Sequence, residues 1–425
     1  MIASLCAFRA SADTKVVYVD GAPGQANKGT GTKSDPFSKI SLAINALAET
    51  GGEIVLVGNV DLVNEYEGDL PSDKQSLGFN LVNPTHSKFI TIRSDDSGEK
   101  KKLFFSAGRG GSSWSMGGPT IFKDITLMFY GTEGDGVDYL YKRVYSNGYT
   151  LIMDTGASSE GLKTLEDGSK GKDSVYLYPG ISPYATDKEE RKVTESNIVL
   201  KDGEWAYLFG AAADNADGES VYNYYVVGDA VINGYASIGP MNNVKVKSAN
   251  LYVDTSKGVA TIHGAHKIGG GDVNIYLLSG EIGNINAKSQ SGKQDTNGNS
   301  FNVYVTGGDI TGTANGDAAE TFAETSFNLS SGKAISGSAS GFTKEGVAPA
   351  ISYELPSDQD PAPVEDDDNT QGGDNTQGGD NTQGGDNTQG GGTSVKTGDE
   401  VVIFAVAAVL AAVAAGFVVS KARNK

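Results

Sequence analysis

Three stretches of the 425-residue chain carry residue types that bind metals. Glu133, Asp135 and Asp138 lie together in GTEGDGVDY, and clustered carboxylates are what Ca2+ takes as ligands. The plainer account is a solvated acidic loop. DTNGNS, residues 295–300, opens like an EF-hand loop. Its sixth place is Ser300 instead of the glycine of the sharp turn, and its twelfth is Thr306 instead of a bidentate Glu. His263 and His266 form His-x-x-His in a turn-like stretch, with no neighbouring Cys or Glu to complete a zinc site. GTGTKSDPFSKISLAINAL, residues 29–47, looks like a phosphate loop. It fails on spacing, because Thr32 separates Gly31 from Lys33 and Ala26 stands where the first glycine belongs. The tyrosines of YLYKRVYSNGY (139–149) and YNYY (222–225) would serve as stacking platforms for sugars. Strands also favour tyrosine for packing alone. No residue emerges as catalytic, and Ca2+ is the one cofactor with even a weak ligand set.

The elements that must position these residues follow from composition. A net charge of -19 excludes nucleic acid as a partner, since a phosphate backbone needs a basic patch. The acidity serves solubility. The single cysteine, Cys6, lies in MIASLCAFRASA, which ends in a small-x-small pattern at Ala10–Ala12. Residues 1–12 are expected to be the end of a signal peptide, with Asp13 the first mature residue. Leu5 is too large for a lipoprotein site at Cys6. A mature chain without cysteine must rest on apolar burial and backbone hydrogen bonds.

At the other end, Val401 to Val419 is uncharged and long enough to span a bilayer as a helix. SKARNK follows, which places the C-terminus in the cytoplasm and the rest outside. Before it, residues 356–394 hold prolines, an acidic run at Glu365–Asp368 and four copies of Asp-Asn-Thr-Gln. This composition predicts a disordered acidic stalk with a reach of roughly 30–35 Å.

Between 198 and 335 one phrase recurs: a short β-branched run, a Gly or Asp turn, then another apolar residue. NIVLKDGEW (197–205), YYVVGDAVI (224–232), NLYVDTSKG (250–258), NIYLLSGEI (274–282), NVYVTGGDI (302–310) and SFNLSSGKAI (326–335) are its copies. Their starts lie 24 to 28 residues apart, and a repeat of that size without helices between copies predicts an all-β, right-handed parallel β-helix over 13–350. EIVLVG (53–58), KFITIR (88–93), KLFF (102–105), TIFKDITLMF (120–129), YTLIMD (149–154) and SVYLY (174–178) continue the pattern, with 131–147 and 179–196 expected as loops. A solenoid needs a lid over its open end. The stretch 36–49 supplies one, with Asp35 as N-cap, Pro36 as first helical residue, Phe37, Ile40, Ile44 and Leu47 on one face, and Gly51 as the stop.

VYVDGAPGQANKGTGTKSDPFSKISLAINALAETGGEIVLVG and GGPTIFKDITL (117–127) resemble pectate-lyase-like right-handed β-helix proteins of Gram-positive surfaces, a resemblance covering about 16–345. It implies either a non-catalytic adhesin or glycan-binding module, or a polysaccharide lyase or glycoside hydrolase. A lyase of this kind uses an arginine base beside clustered calcium ligands, yet Arg93, Arg109, Arg143 and Arg191 sit beside no carboxylate cluster in sequence. SVKTGDE, the apolar span and the basic tail resemble a sortase sorting signal. Lys396, Thr397 and Gly398 match its last three positions, whereas Ser394 and Val395 stand in place of Leu and Pro. The resemblance implies cleavage between Thr397 and Gly398 and attachment to peptidoglycan. The expected partners are thus extracellular glycans or host surface molecules, sortase and peptidoglycan, and the membrane. The expected location is the cell wall or surface.

Overall fold

A computed structural model describes residues 14–21, 29–65, 80–105, 112–128, 142–164, 170–172, 175–183, 191–211, 218–240, 244–265, 269–290, 298–318 and 321–357. They form a parallel β-solenoid of the right-handed type. Its longest stack runs Val16–Val19, Gly52–Leu56, Ile90–Ser94, Thr120–Lys123, Thr150–Met153, Glu195–Leu200 and Val221–Gly228. It continues through the first halves of Val244–Ala265 and Gly269–Ser289, then Gly298–Val305, Phe322–Leu329 and Lys344–Val347. Tyr224, Leu251, Ile275 and Val303 are register partners, so the recurring phrases stack as the repeat predicts.

A second stack comprises Asn80–Val82, Ser112–Ser115, Lys142–Tyr145, Tyr176–Tyr178 and, in later coils, 207–209, 235–237 and 262–265. A third begins with Val60–Asp61, Lys101–Phe104, Ile125–Met128 and Ser158–Glu160, and is carried on by 204–205, 231–232, 258–259, 281–282 and 309–310. Alternation sends one set of side chains inward from each stack. Ile54, Ile92, Phe122, Leu151, Ile198, Tyr224, Leu251, Ile275 and Val303 line the axis and are all buried. Two loop expectations need correction. Lys142–Tyr145 lies in the second stack, and the strand Glu195–Leu200 begins inside the expected 179–196 insertion. The four-residue strand Lys142–Tyr145 offers too few alternations to stand out from a loop, and the second strand opens on polar Glu195 and Ser196, which carry no apolar signal.

The lid is present and shorter than expected. The α-helix spans Ile40–Leu47, with Lys39 at its N-cap. Asp35 closes the preceding loop instead, accepting from Thr30 N–H (3.0 Å) and the Thr30 hydroxyl (2.9 Å). Pro36 precedes the helix, and Phe37 bridges to Val19. The helix N-terminus is capped from a distance. Glu65 accepts Ile40 N–H at 2.5 Å, Ser41 N–H at 3.2 Å and the Ser41 hydroxyl at 2.7 Å, a negative group at the positive end of the dipole. Ile40, Ala43, Ile44 and Leu47 seal the core, and Gly51 stops the helix through its N–H to Leu47 O (2.8 Å).

On the outer side of the long stack, an amide ladder crosses the coils. Asn223 donates to Asn197 (3.1 Å), Asn250 to Asn223 (2.9 Å), Asn274 to Asn250 (2.9 Å) and Asn302 to Asn274 (3.0 Å), and the Ser326 hydroxyl donates to Asn302 (2.7 Å). Each amide gives and accepts along the axis, so an interior member supports two neighbours. Asn250→Ala is expected to cost about 1–3 kcal/mol, because Asn223 and Asn274 each lose a partner. Urea unfolding checks this, and a change under half a kcal/mol would contradict a cooperative ladder.

His86 lies buried at a corner, its Nδ1 3.1 Å from Pro84 O and its Nε2 3.4 Å from Pro119 O. Burial holds its pKa below the ordinary 6.5, against the two carbonyls that raise it. As pH falls through 6.5 the unfolded chain takes up the proton first, so stability declines toward the lower folded pKa. His263, lowered by burial and then by Lys288, acts in the same direction. The melting temperature should therefore fall between pH 7 and pH 5. His86→Gln should flatten that slope, and an unchanged slope would refute the assignment.

Candidate functional site

The later coils of the third stack carry a surface groove of about 660 Å³. It crosses three to four successive coils. Its floor is made of small residues: Gly258, Ala260, Gly280, Gly283 and Gly308. Glycine is required at two of these positions, since a Cβ on Gly258 would lie 2.2 Å from Glu281 O and one on Gly283 2.3 Å from Ala260 O. Asn233, Ser256, Lys257, Glu281, Asp309 and Thr311 provide polar groups along it. Val259, Ile282 and Ile310 point into the core, so their flanking residues face out.

Glu281 and Asp309 are register partners, which puts their backbones about 4.8 Å apart. The Ser336 hydroxyl and N–H hold the Asp309 carboxyl below the usual carboxylate range, the amide bond measuring 2.8 Å. Asp309 is thus an ionised acceptor at neutral pH. Around the groove, Asn233 donates to Glu204 (3.2 Å) and the Ser256 hydroxyl to Asp229 (2.5 Å), which fixes two of its polar side chains. The arrangement offers acceptors and donors over a shallow, small-residue floor. That chemistry suits the hydroxyl groups of a sugar chain.

The tyrosines singled out by sequence are placed differently from a stacking platform. Tyr222 and Tyr224 are fully buried, with the Tyr224 hydroxyl donating toward Phe209 O (3.2 Å) and Ile238 O (3.3 Å). Tyr225 points out but stacks with Tyr252 at 5.1 Å, Tyr252 with Tyr276 at 4.8 Å and Tyr276 with Tyr304 at 5.1 Å. Rings stacked on one another present edges outward and cover their faces, so this ladder is no platform for a sugar ring. Burial pushes the Tyr225 and Tyr276 phenols up to about 12. Tyr145 is buried and stacked on Tyr178 (4.9 Å), and Tyr149 lies under the Arg191 guanidinium (4.8 Å). Residues 139–141 lie outside the described part.

His263 faces outward on the second stack, edge-on to Tyr235 at 5.7 Å, while His266 lies outside the described residues. Glu133, Asp135, Asp138, Arg109, residues 295–297, Thr397 and Gly398 lie outside them too, as does 401–419. Among the described residues no group of three or more His, Cys, Asp or Glu is arranged to hold a metal. No described helix is long and apolar enough to cross a membrane. Arg93 is spent in ion pairs with Glu53 (2.8 Å) and Asp96 (3.1 Å), and Arg191 donates to Asn147 O (2.8 Å). Arg143 pairs in register with Ser113 and Tyr176. Sequence reasoning missed Lys142, fully buried at the start of a second-stack strand, whose ammonium burial lowers to about 8.

It missed the groove as well. The signal was there, in the glycines that follow each turn at 258, 280, 283 and 308, but their convergence depends on coil register. The chain matches no protein-family model, no curated protein and no solved structure.

Proposed function

We propose that this is a cell-surface β-helix protein that binds extracellular glycans without turning them over. Its fold is compatible with the pectate-lyase-like kind. The observation that carries the reading is the groove: polar groups from successive coils over a floor of glycine and alanine, long enough for several sugar units. Presentation outside the cell rests on the sequence of the C-terminal segment, with the acidic spacer, the apolar span at 401–419 and the sorting-like Thr397-Gly398 pair.

A glycan array probed with the full chain tests the binding role. Ala260 is exposed at the groove floor, so Ala260→Trp should fill the groove and weaken binding by at least tenfold while the melting temperature holds. Binding that survives this change would move the site elsewhere. Mass spectrometry of wall fragments ending at Thr397 tests attachment, and an uncleaved tail would favour a plain membrane anchor.

One observation favours a second reading. Glu281 and Asp309 stand side by side on adjacent coils of the groove, and a glycoside hydrolase needs two carboxylates facing one groove. Reducing ends released from a bound polysaccharide, and lost in Glu281→Gln, would replace the binding role with hydrolysis.

A further inference from the structure

The outer side of the long stack carries a continuous apolar column, and the chain itself lies across it. Ile121, Ile152, Val199, Tyr225, Tyr252, Tyr276 and Tyr304 are successive register partners. After the last strand, Lys344–Val347, the chain turns back. Ala348 is buried, with its N–H on Leu329 O (3.0 Å). Tyr353 then reaches Tyr225 (ring centroids 5.8 Å) and Tyr252 (5.2 Å), and its hydroxyl donates to Asp254 Oδ2 at 2.9 Å. The opposite oxygen of Asp254 accepts the Ser279 hydroxyl at 2.5 Å, which fixes the carboxylate for this role.

From Val347 back to Tyr252 and Tyr225 the path crosses four to five strand spacings, roughly 20 Å. Six residues cover that only when nearly extended. Residues 348–357 are therefore a strap drawn over the coils. They belong to no strand, Pro349 and Pro356 have no N–H to give, and Leu355 is 38 % exposed. Beneath the strap, by contrast, Tyr225 is only 6 % exposed.

We propose that the tyrosine column around Tyr225, Tyr252 and Asp254 is a docking surface for an extended, tyrosine-bearing segment, and that residues 348–357 are its resident and releasable occupant. The recognition chemistry is explicit: an aromatic ring packed at a tilt of 34° and 31° against the outer edges of two stacked rings, and a phenol donating to a fixed carboxylate. Burial, and then the bond to Asp254, push the Tyr353 phenol well above its ordinary range, so it remains a donor at any physiological pH. Release needs no coil to open, because past the Ala348 N–H bond to Leu329 O the strap belongs to no strand. It belongs to the low end of local opening free energies. Whatever engages the chain beyond 357 is thereby coupled to exposure of the column. This inference is independent of the glycan reading.

Tyrosine nitration of the full chain by tetranitromethane, mapped by mass spectrometry, tests it. In the wild type, Tyr225 should react slowly. In Tyr353→Ala, and in a chain ending at Val347, its rate should rise at least tenfold while inward-facing Tyr224 stays unmodified. A synthetic peptide of residues 348–357 added to either variant should restore protection, and the same peptide with Tyr353→Ala should not. Unchanged Tyr225 reactivity in both variants, or a peptide that gives no protection, would overturn the proposal. So would simultaneous nitration of Tyr224, since the strap would then be part of the cooperative fold.

Discussion

Trp114→Ala should destabilise the N-terminal coils by about 3–5 kcal/mol, the range for removing a fully buried aromatic. Trp114 is 1 % exposed on the inner side of the second stack, between register partners Leu81 and Val144. It meets Phe122 edge-on at 5.4 Å and Phe105 at 6.4 Å, and its indole N–H donates to Asn83 Oδ1 at 2.7 Å. Alanine would leave a cavity and a buried Asn83 oxygen without its donor, so two penalties add. In a solenoid each coil contacts only its neighbours, so the loss should be felt first in coils 80–128. The chain has two tryptophans, which leaves Trp205 as the sole indole reporter in the variant. Urea unfolding should show the far-ultraviolet signal falling before Trp205 fluorescence. A shift below 1 kcal/mol, or coincident transitions at the wild-type midpoint, would contradict this account.

Gly203→Ala is the second large effect, expected at about 2–4 kcal/mol from left-handed backbone strain plus overpacking. Gly203 sits at the turn from the long stack to the third, with φ 84°. A Cβ there would lie 2.1 Å from Ala157 O and 3.0 Å from Ser158 Cα, the backbone of the coil below. Neither can yield without breaking a coil contact. Gly98 is the control, since its φ is 83° and nothing lies within 4 Å of its Cβ position. Gly98→Ala should cost only about 1 kcal/mol, the conformational term alone. Thermal unfolding of the two variants side by side separates strain from clash, and equal losses would show that the contact with Ala157 carries no weight.

Much of the solenoid is legible in the sequence because its determinants are local. The alternation in Asn274-Ile275-Tyr276 and Asn302-Val303-Tyr304, with a glycine a few residues on, states a strand, its inward residue and its corner. The same holds for Ile40, Ile44 and Leu47 as the sealing face of the lid. Where local signals compete, the reading fails. Asp35 has the right chemistry for an N-cap, yet its carboxylate closes the Thr30 turn, and the helix takes its cap from Glu65, 25 residues away. No spacing rule reports a partner at that distance.

The candidate site was less legible for the same reason. Sequence picked out residues close along the chain: the acids at 133–138, the His-x-x-His at 263–266, the tyrosines at 222–225. In a parallel solenoid, residues that act together are one coil apart, and the loops between strands vary in length. Glu281 and Asp309 become neighbours only through the pairing of their strands. The sequence by itself determined the coil: apolar alternation sets which side chains turn inward, and glycine sets where the chain bends. Tertiary structure alone decided what faces each column of residues across coils, and that register is fixed by side-chain volume and amide pairing between segments distant in the chain. The groove, the tyrosine column and the strap that lies over it all belong to that second set.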